Sequence, residues 1–301
     1  MSAHHHPHAS TARIRTAFFL NLGFTVIEAV GGVLVGSVAI VADAVHDLGD
    51  TMSLGAALAL ERYAHKAPDR QYSYGYRRLS ALSALITGAV LLGGSVYIVT
   101  QAIQRFAEPR EPHGLAMLGI AIFGLAVNGY AAWKLSKGLT QNEQMLKWHL
   151  VEDVMGWAAV LVGSILIMIF KWTWIDPALA IGIALFVLWN VTRRLSSTLR
   201  LFLQQVPPGI DLNEFRQALL AVEGVLDAHD LHVWSLDGEH HVLSCHIVVP
   251  EDAEPASIKR SVRTAIALKG EFHSTIEVEL ETDICHVDCD PKDSDSKDSA
   301  P

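Results

Sequence analysis

Two copies of one pattern, a histidine four residues ahead of an aspartate, stand inside apolar stretches of this chain: His46 with Asp50, and His149 with Asp153. Ionisable groups at membrane depth are costly and usually functional. On a helix, positions i and i+4 share a face. If both stretches cross a bilayer and pack together, they offer two imidazoles and two carboxylates to one point in space. That is a four-ligand N/O set suited to tetrahedral Zn²⁺.

Composition supports the membrane premise. Half of the 301 residues are hydrophobic and 18% are charged, with a mean hydropathy of +0.29. Runs of about twenty apolar residues mark spans, and six fit: 14–34, 38–60, 80–104, 114–133, 149–170 and 177–192. The fourth has no charged residue, whereas the first, second and fifth hold Glu28, Asp43, Asp47, Asp50, Glu152 and Asp153. Polarity is concentrated on particular helices.

Charge divides the chain in two. Residues 1–206 hold 12 Asp/Glu against 16 Lys/Arg, and residues 207–301 hold 20 against 7. A basic membrane part is thus followed by an acidic soluble part, which has no Lys/Arg cluster and argues against nucleic acid as a partner. With six spans and the termini inside, thirteen Lys/Arg fall on inner segments and three, Arg105, Arg110 and Lys171, on outer loops. The positive-inside bias therefore places both termini in the cytoplasm. The first apolar run reads as a span rather than a cleaved leader, being long, carrying Asn21 and Glu28, and lacking a small-residue cleavage site.

Asp43, His46, Asp47 and Asp50 follow i, i+3, i+4, i+7 spacing and form one polar stripe along the second span. His46, Asp50, His149 and Asp153 are the expected metal ligands. Asp47 and Glu152 neighbour them in sequence but point elsewhere on the helical wheel, and with Asp43, Glu28 and Asn21 they are expected to modulate the site. Carboxylates alone would suit Mn²⁺ or Mg²⁺; two imidazoles shift the preference to Zn²⁺, Co²⁺ or Ni²⁺. Ion binding, with Zn²⁺ both bound and carried, calls for no organic cofactor, and no general base stands beside an open metal position as a hydrolase requires. One function these ligands admit is that of a membrane metal sensor or scaffold that uses them structurally.

The soluble half alternates helix and strand signals: helix 212–222, strands 228–236 and 241–249 around Asp237-Gly238, helix 256–268, strand 275–281. Strand alternation puts Asp230, His232 and Trp234 on one face and His229 on the other, and an antiparallel sheet is expected. Cys245 falls on a strand as a small core residue. Cys285 and Cys289, with His286 between them, offer an auxiliary metal site. His4, His5, His6 and His8 offer flexible imidazoles for metal capture. The expected organisation is a disordered His-rich N-terminus (1–12), a six-span domain (13–206), a cytoplasmic domain (207–284) and a disordered Cys-containing tail (285–301).

Taken together, Asn21, Glu28 and Gly31-Gly32, the run from Ser37 to Asp50, Tyr74-Gly75-Tyr76-Arg77-Arg78 and Asn128 resemble the cation diffusion facilitator family of zinc exporters. So do His149 to Asp153, Asp176-Pro177, Pro207 and His229-Asp230-Leu231-His232-Val233-Trp234. The resemblance implies a six-helix transmembrane bundle followed by a ferredoxin-like α+β domain. It also implies a homodimer that exchanges cytosolic Zn²⁺ for protons across a bacterial inner (plasma) membrane, with Co²⁺, Ni²⁺ or Cd²⁺ as alternative cargo. It assigns cytosolic zinc to His229, His246 and either Glu277 or Glu279, with His232, His240 and His273 in reserve. Relatives carry a glutamate where this chain has Ser80, so a metal site in the loop after the second span is doubtful here, with Asp69 its only evident acid.

Overall fold

Apolar surface points outward from the first six helices. In this computed structural model, which describes residues 7–64, 66, 68–135 and 141–282, Leu20, Val33, Leu34 and Leu115 are each at least 70% exposed. Glu28, Asp43, Asp47 and Asp176 are buried instead. That inversion of the usual order is what a lipid solvent selects. The helices are α1 (Pro7–Val35), α2 (Val38–Ala64), α3 (Arg78–Ala107), α4 (Gly114–Leu135), α5 (Gln141–Phe170) and α6 (Ile175–Phe202). Five of them are long and apolar enough to cross a membrane. The sixth, α2, is long enough at 27 residues but carries Asp43, Asp47 and Asp50. Its three aspartates set it apart from the other five.

The helices outrun the apolar signal at their ends, because polar residues extend a helix once it leaves the bilayer. α1 opens with Pro7 at its first position, where a missing N–H costs nothing, so the tail expected to be disordered through residue 12 is helical from residue 7. α2 packs against both α1 and α3, α4 against α5, and lighter contacts join α1 to α4 and α2 to α5. Between α1 and α2 the chain reverses at Gly36, whose φ of 77° is left-handed. There Gly36 N–H and Ser37 N–H close back on the Val33 and Gly32 carbonyls, a glycine-dependent helix stop. The apolar core gathers near the α1–α2, α3–α4 and α5–α6 turns, around Ile40, Ile98, Met117, Trp157 and Ala180.

The chain divides into two compact units between Ser196 and Ser197, inside α6 and ten residues before the expected boundary at 206. The second unit holds α7 (Leu212–Leu220), β1 (Asp227–Ser235), β2 (His241–Val249), α8 (Pro255–Lys269) and β3 (Phe272–Leu280). The strands lie in the order β1-β2-β3. β1 and β2 are an antiparallel hairpin, but β2 and β3 pair in parallel, so the sheet is mixed and not antiparallel as expected. Helix α8 links β2 to β3, and strands joined by a helical crossover run the same way; with no strand between them they pair directly. Both helices cover one sheet face, with Phe215, Leu219, Val262 and Ile266 against Leu243, Ile247 and Ile276. The other face carries the polar side chains.

Candidate metal centre

Helical spacing brings the α2 stripe to α5. His46 Nε2 lies 3.8 Å from Asp153 Oδ1, and with Asp47 they form a group whose ligand atoms all lie within 4.8 Å of one another. Asp47 is thereby part of the donor cluster. The wheel separates it from Asp50 but says nothing of α5, which approaches α2 from a side that favours Asp47. Gly156 of α5 lies beside Asp43, and even a β-carbon there would meet Asp43 Oδ1 at an ordinary 3.7 Å.

Two cavities meet at His46. One is lined by Asp43, His46, Glu152 and Asp153 with apolar residues of α6. The other is lined by His46, Asp50, Ser53, Thr87, Asn190 and Arg194. Glu152 lines both cavities, at an exposed position on α5. Both cavities flank the cluster, and Asp50 faces the second one. The side chain of His149 lies outside the described residues; its backbone is one helical turn before Asp153 in α5.

From α1, Asn21 Nδ2 donates to the Asp47 carbonyl at 3.3 Å and to Thr51 Oγ1 at 2.9 Å, and Thr25 and Thr51 hydroxyls lie 3.2 Å apart. These bonds tie α1 to the ligand-bearing turn of α2. Asp176, which opens α6, does the same at the start of α2. Its carboxylate accepts from Ser37 Oγ at 2.5 Å, Val38 N at 2.8 Å and Ala39 N at 3.2 Å. It thus caps a helix N-terminus that has no water available. In the sequence, Asp176-Pro177 carries only a family resemblance, and Ser37, just before α2, is its partner in this cap.

In the loop after α2, Asp69 has no lone pair to spare for a metal. Its Oδ2 accepts from Tyr76 Oη at 2.7 Å and Lys66 Nζ at 3.1 Å, and its Oδ1 from the Gln71 and Tyr72 amides, both at 2.9 Å. Tyr76 first, then those amides and Lys66, hold its carboxyl well below the usual range. A carboxylate with a depressed folded pKa stabilises fully above its unfolded pKa of about 3.9 and progressively less as pH falls below it. The melting difference between the parent chain and Asp69→Asn should therefore be present at neutral pH and shrink toward about pH 3. A difference that grows on acidification would contradict the assignment.

A second donor cluster lies on the polar face of the sheet. His229, His246 and Glu279 place one ligand atom each within 4.8 Å of the others. His246 Nδ1 lies 2.6 Å from Glu279 Oε1, and His229 Nε2 lies 3.3 Å from Glu279 Oε2. Glu277, though opposite His246 in the ladder, is exposed and outside this group. Strict alternation fails in β1: the register slips between His229 and His232, and Asp230 takes a φ of 47°. The resulting bulge turns His229 and Asp230 to the same face, correcting the expected separation. Asp230 then reaches His246 at 3.4 Å and His232 at 2.6 Å. His240 pairs instead with Asp237 at 2.8 Å. Cys245 faces the core, away from this cluster, where burial pushes its thiol up to about 11. His4, His5 and His6, the side chain of His8, and Cys285 and Cys289, all expected as candidate metal ligands, lie outside the described residues.

A helical membrane domain with ionisable donors at depth, followed by a small α+β domain, defines a class: transporters of metal cations, not enzymes. Residues 14–203 match the cation efflux transmembrane domain, and residues 207–281 match the cytoplasmic domain of cation efflux proteins. The chain is 35% identical to a cadmium, cobalt and zinc/H(+)-K(+) antiporter of Bacillus velezensis, over 92% of this chain and 91% of the relative. It is 32% identical to the metal cation efflux system protein CzcD of Cupriavidus metallidurans, over 92% and 89%. Against zinc transporter ZitB of Escherichia coli it is 31% identical, over 95% of each. The chain belongs to the cation diffusion facilitator family and is a multi-pass membrane protein of metal cation efflux.

Proposed function

We propose that this protein exports divalent transition-metal cations, Zn²⁺ foremost, from the cytosol in exchange for protons. In this reading it works as a homodimer in a bacterial inner membrane with both termini cytoplasmic. His46, Asp50, His149 and Asp153 hold the ion in transit, with Asp47 within reach and Glu152 at the cavity wall. The observation that carries this reading is the 3.8 Å approach of His46 on α2 to Asp153 on α5, at a depth where unneeded charge is selected against. Zinc takes neutral imidazole and ionised carboxylate, so metal and protons compete for one set of atoms. A site exposed alternately to the two membrane faces converts that competition into exchange.

The packing supports an alternating site. The apolar core closes the bundle near the α1–α2 turn, whereas the cavity with Asp50, Asn190 and Arg194 lies toward the other helix ends. Relatives named for cadmium and cobalt as well as zinc favour a cargo range wider than zinc alone. The cluster of His229, His246, Glu279 and Asp230 is assigned to cytosolic metal, and the match of residues 207–281 to the ZT-dimer domain supports pairing of two chains. The deciding experiment is zinc-dye flux in proteoliposomes. A pH gradient should drive Zn²⁺ uptake by the parent chain, and Asp153→Ala or His149→Ala should abolish it. Flux that ignores the gradient, or survives both substitutions, would reject the reading in favour of a sensor.

A further inference from the structure

Two arginines stand side by side on α6 and meet different surroundings. Arg193 Cζ lies 5.8 Å from the centre of the exposed Trp189 ring, as an anchor at a membrane interface does. Arg194, about 100° further round the helix, lines the cavity that holds His46 and Asp50, with Ser53, Glu152 and Asn190. The next residue fixes this placement: Leu195 packs so closely on Gly88 of α3 that a β-carbon there would meet Leu195 Cδ2 at 2.6 Å. Of the described residues lining the two cavities beside the donor cluster, Arg194 alone is a lysine or arginine. Exposure rises along this face of α6 from buried Val187 through half-buried Asn190 to exposed Arg194. On α2 it rises from buried Asp43 through half-buried Asp50 to exposed Ser53. Arg194 therefore stands at the open end of the cavity, and an ion entering there passes it before reaching Asp50.

We propose that Arg194 is a specificity-determining residue, a tethered cation that the transported ion must outcompete. Carboxylates in a partly desolvated cavity are costly without a counter-charge, and arginine supplies one at any working pH. Every entering cation feels the repulsion of the guanidinium. A transition metal recovers that cost through bonds to imidazole, whereas potassium or sodium has no such return. Arg194 thus sets a threshold that admits divalent transition metals to the site and keeps monovalent ions out of it, acting through charge and without ligating the metal. The proposal rests on the transport reading, because it takes His46 and Asp50 as ligands.

The test is equilibrium zinc titration of the full-length chain in detergent, in a His246→Ala background that silences the sheet cluster. Arg194→Gln should bind Zn²⁺ at the membrane site about tenfold or more tightly than the background chain, the opposite sign from a lost ligand or a loosened fold. Arg194→Lys, which keeps the charge, should restore most of the difference, and Arg193→Gln should leave the affinity as it was. Exchanging choline for potassium in the buffer should weaken zinc binding in Arg194→Gln and not in the background chain. Arg194→Ala, equally neutral, decides if Arg194→Gln does not fold. Zinc binding that fails to tighten in the neutral variants, that tightens equally in Arg194→Lys or Arg193→Gln, or that ignores potassium in Arg194→Gln would overturn the proposal. A background chain that binds no zinc in the membrane domain would instead reject the transport reading, and this proposal with it.

Discussion

Asp153→Asn is expected to weaken Zn²⁺ binding at the membrane site on the order of a hundredfold or more, while zinc binding at the sheet cluster stays at the parent level. The substitution is isosteric, so packing around it changes little; what is lost is a charged oxygen donor 3.8 Å from His46 Nε2. Disturbing groups that merely support metal ligands already costs about 10–100-fold in affinity, and a ligand itself should cost at least that. The remaining carboxylates give less compensation for the ion's desolvation at this depth. Because binding displaces protons from imidazole and carboxyl groups, the parent chain's affinity should rise with pH. His246→Ala supplies the reciprocal control, lowering binding at the sheet and sparing the membrane site. The measurement is equilibrium zinc titration of each full-length variant in detergent. Parent-like membrane affinity in Asp153→Asn would remove the α2–α5 pair from the ligand set.

Hydropathy and spacing made much of this architecture readable, and their failures have physical causes. Apolar runs located all six helices of the first unit because lipid permits no other means of satisfying a spanning backbone than helix or closed barrel. The i, i+3, i+4, i+7 stripe on α2 likewise follows from helix geometry. What spacing within one helix cannot reveal is the azimuth of its neighbour. Asp47 was set apart from Asp50 by the wheel, yet α5 approaches where Asp47 joins His46 and Asp153. In the sheet, Cys245 lies in the core as expected, and period-two alternation holds from Leu243 to Val249 of β2. It failed at Asp230, because a bulge is a single-residue slip with no compositional mark here beyond an aspartate, a residue that tolerates left-handed φ. The parallel pairing of β2 and β3 depended on which strands become neighbours, a property of the crossover rather than of any residue. The Asp176 cap is the hardest case, since it joins positions 139 residues apart.

That cap leads to the second large effect. Asp176→Ala should destabilise the folded chain by roughly 3 kcal/mol or more, since it leaves several buried donors unsatisfied and each such group costs about 1–3 kcal/mol. The donors are Ser37 Oγ and the amides of Val38 and Ala39. Ser37 and Asp176 are 1% and 2% exposed, so water cannot take the place of the lost oxygens. Asp176→Asn should do less harm without being neutral, because one amide oxygen still accepts while the NH₂ group confronts backbone N–H groups that need an acceptor. The order parent, Asn, Ala in thermal midpoint is the expected result, read on purified protein in detergent. The consequence extends to the metal. α2 carries His46, Asp47 and Asp50 two to three turns beyond the cap, and at 1.5 Å rise per residue a frayed first turn displaces ligands that must meet α5 within a few tenths of an ångström. Zinc affinity in Asp176→Ala should fall as well, although Asp176 touches no ion. A normal melting curve would show that α2 is held by side-chain packing alone; a lowered curve with parent-like zinc affinity would show that the cap stabilises the bundle without setting the ligands in place.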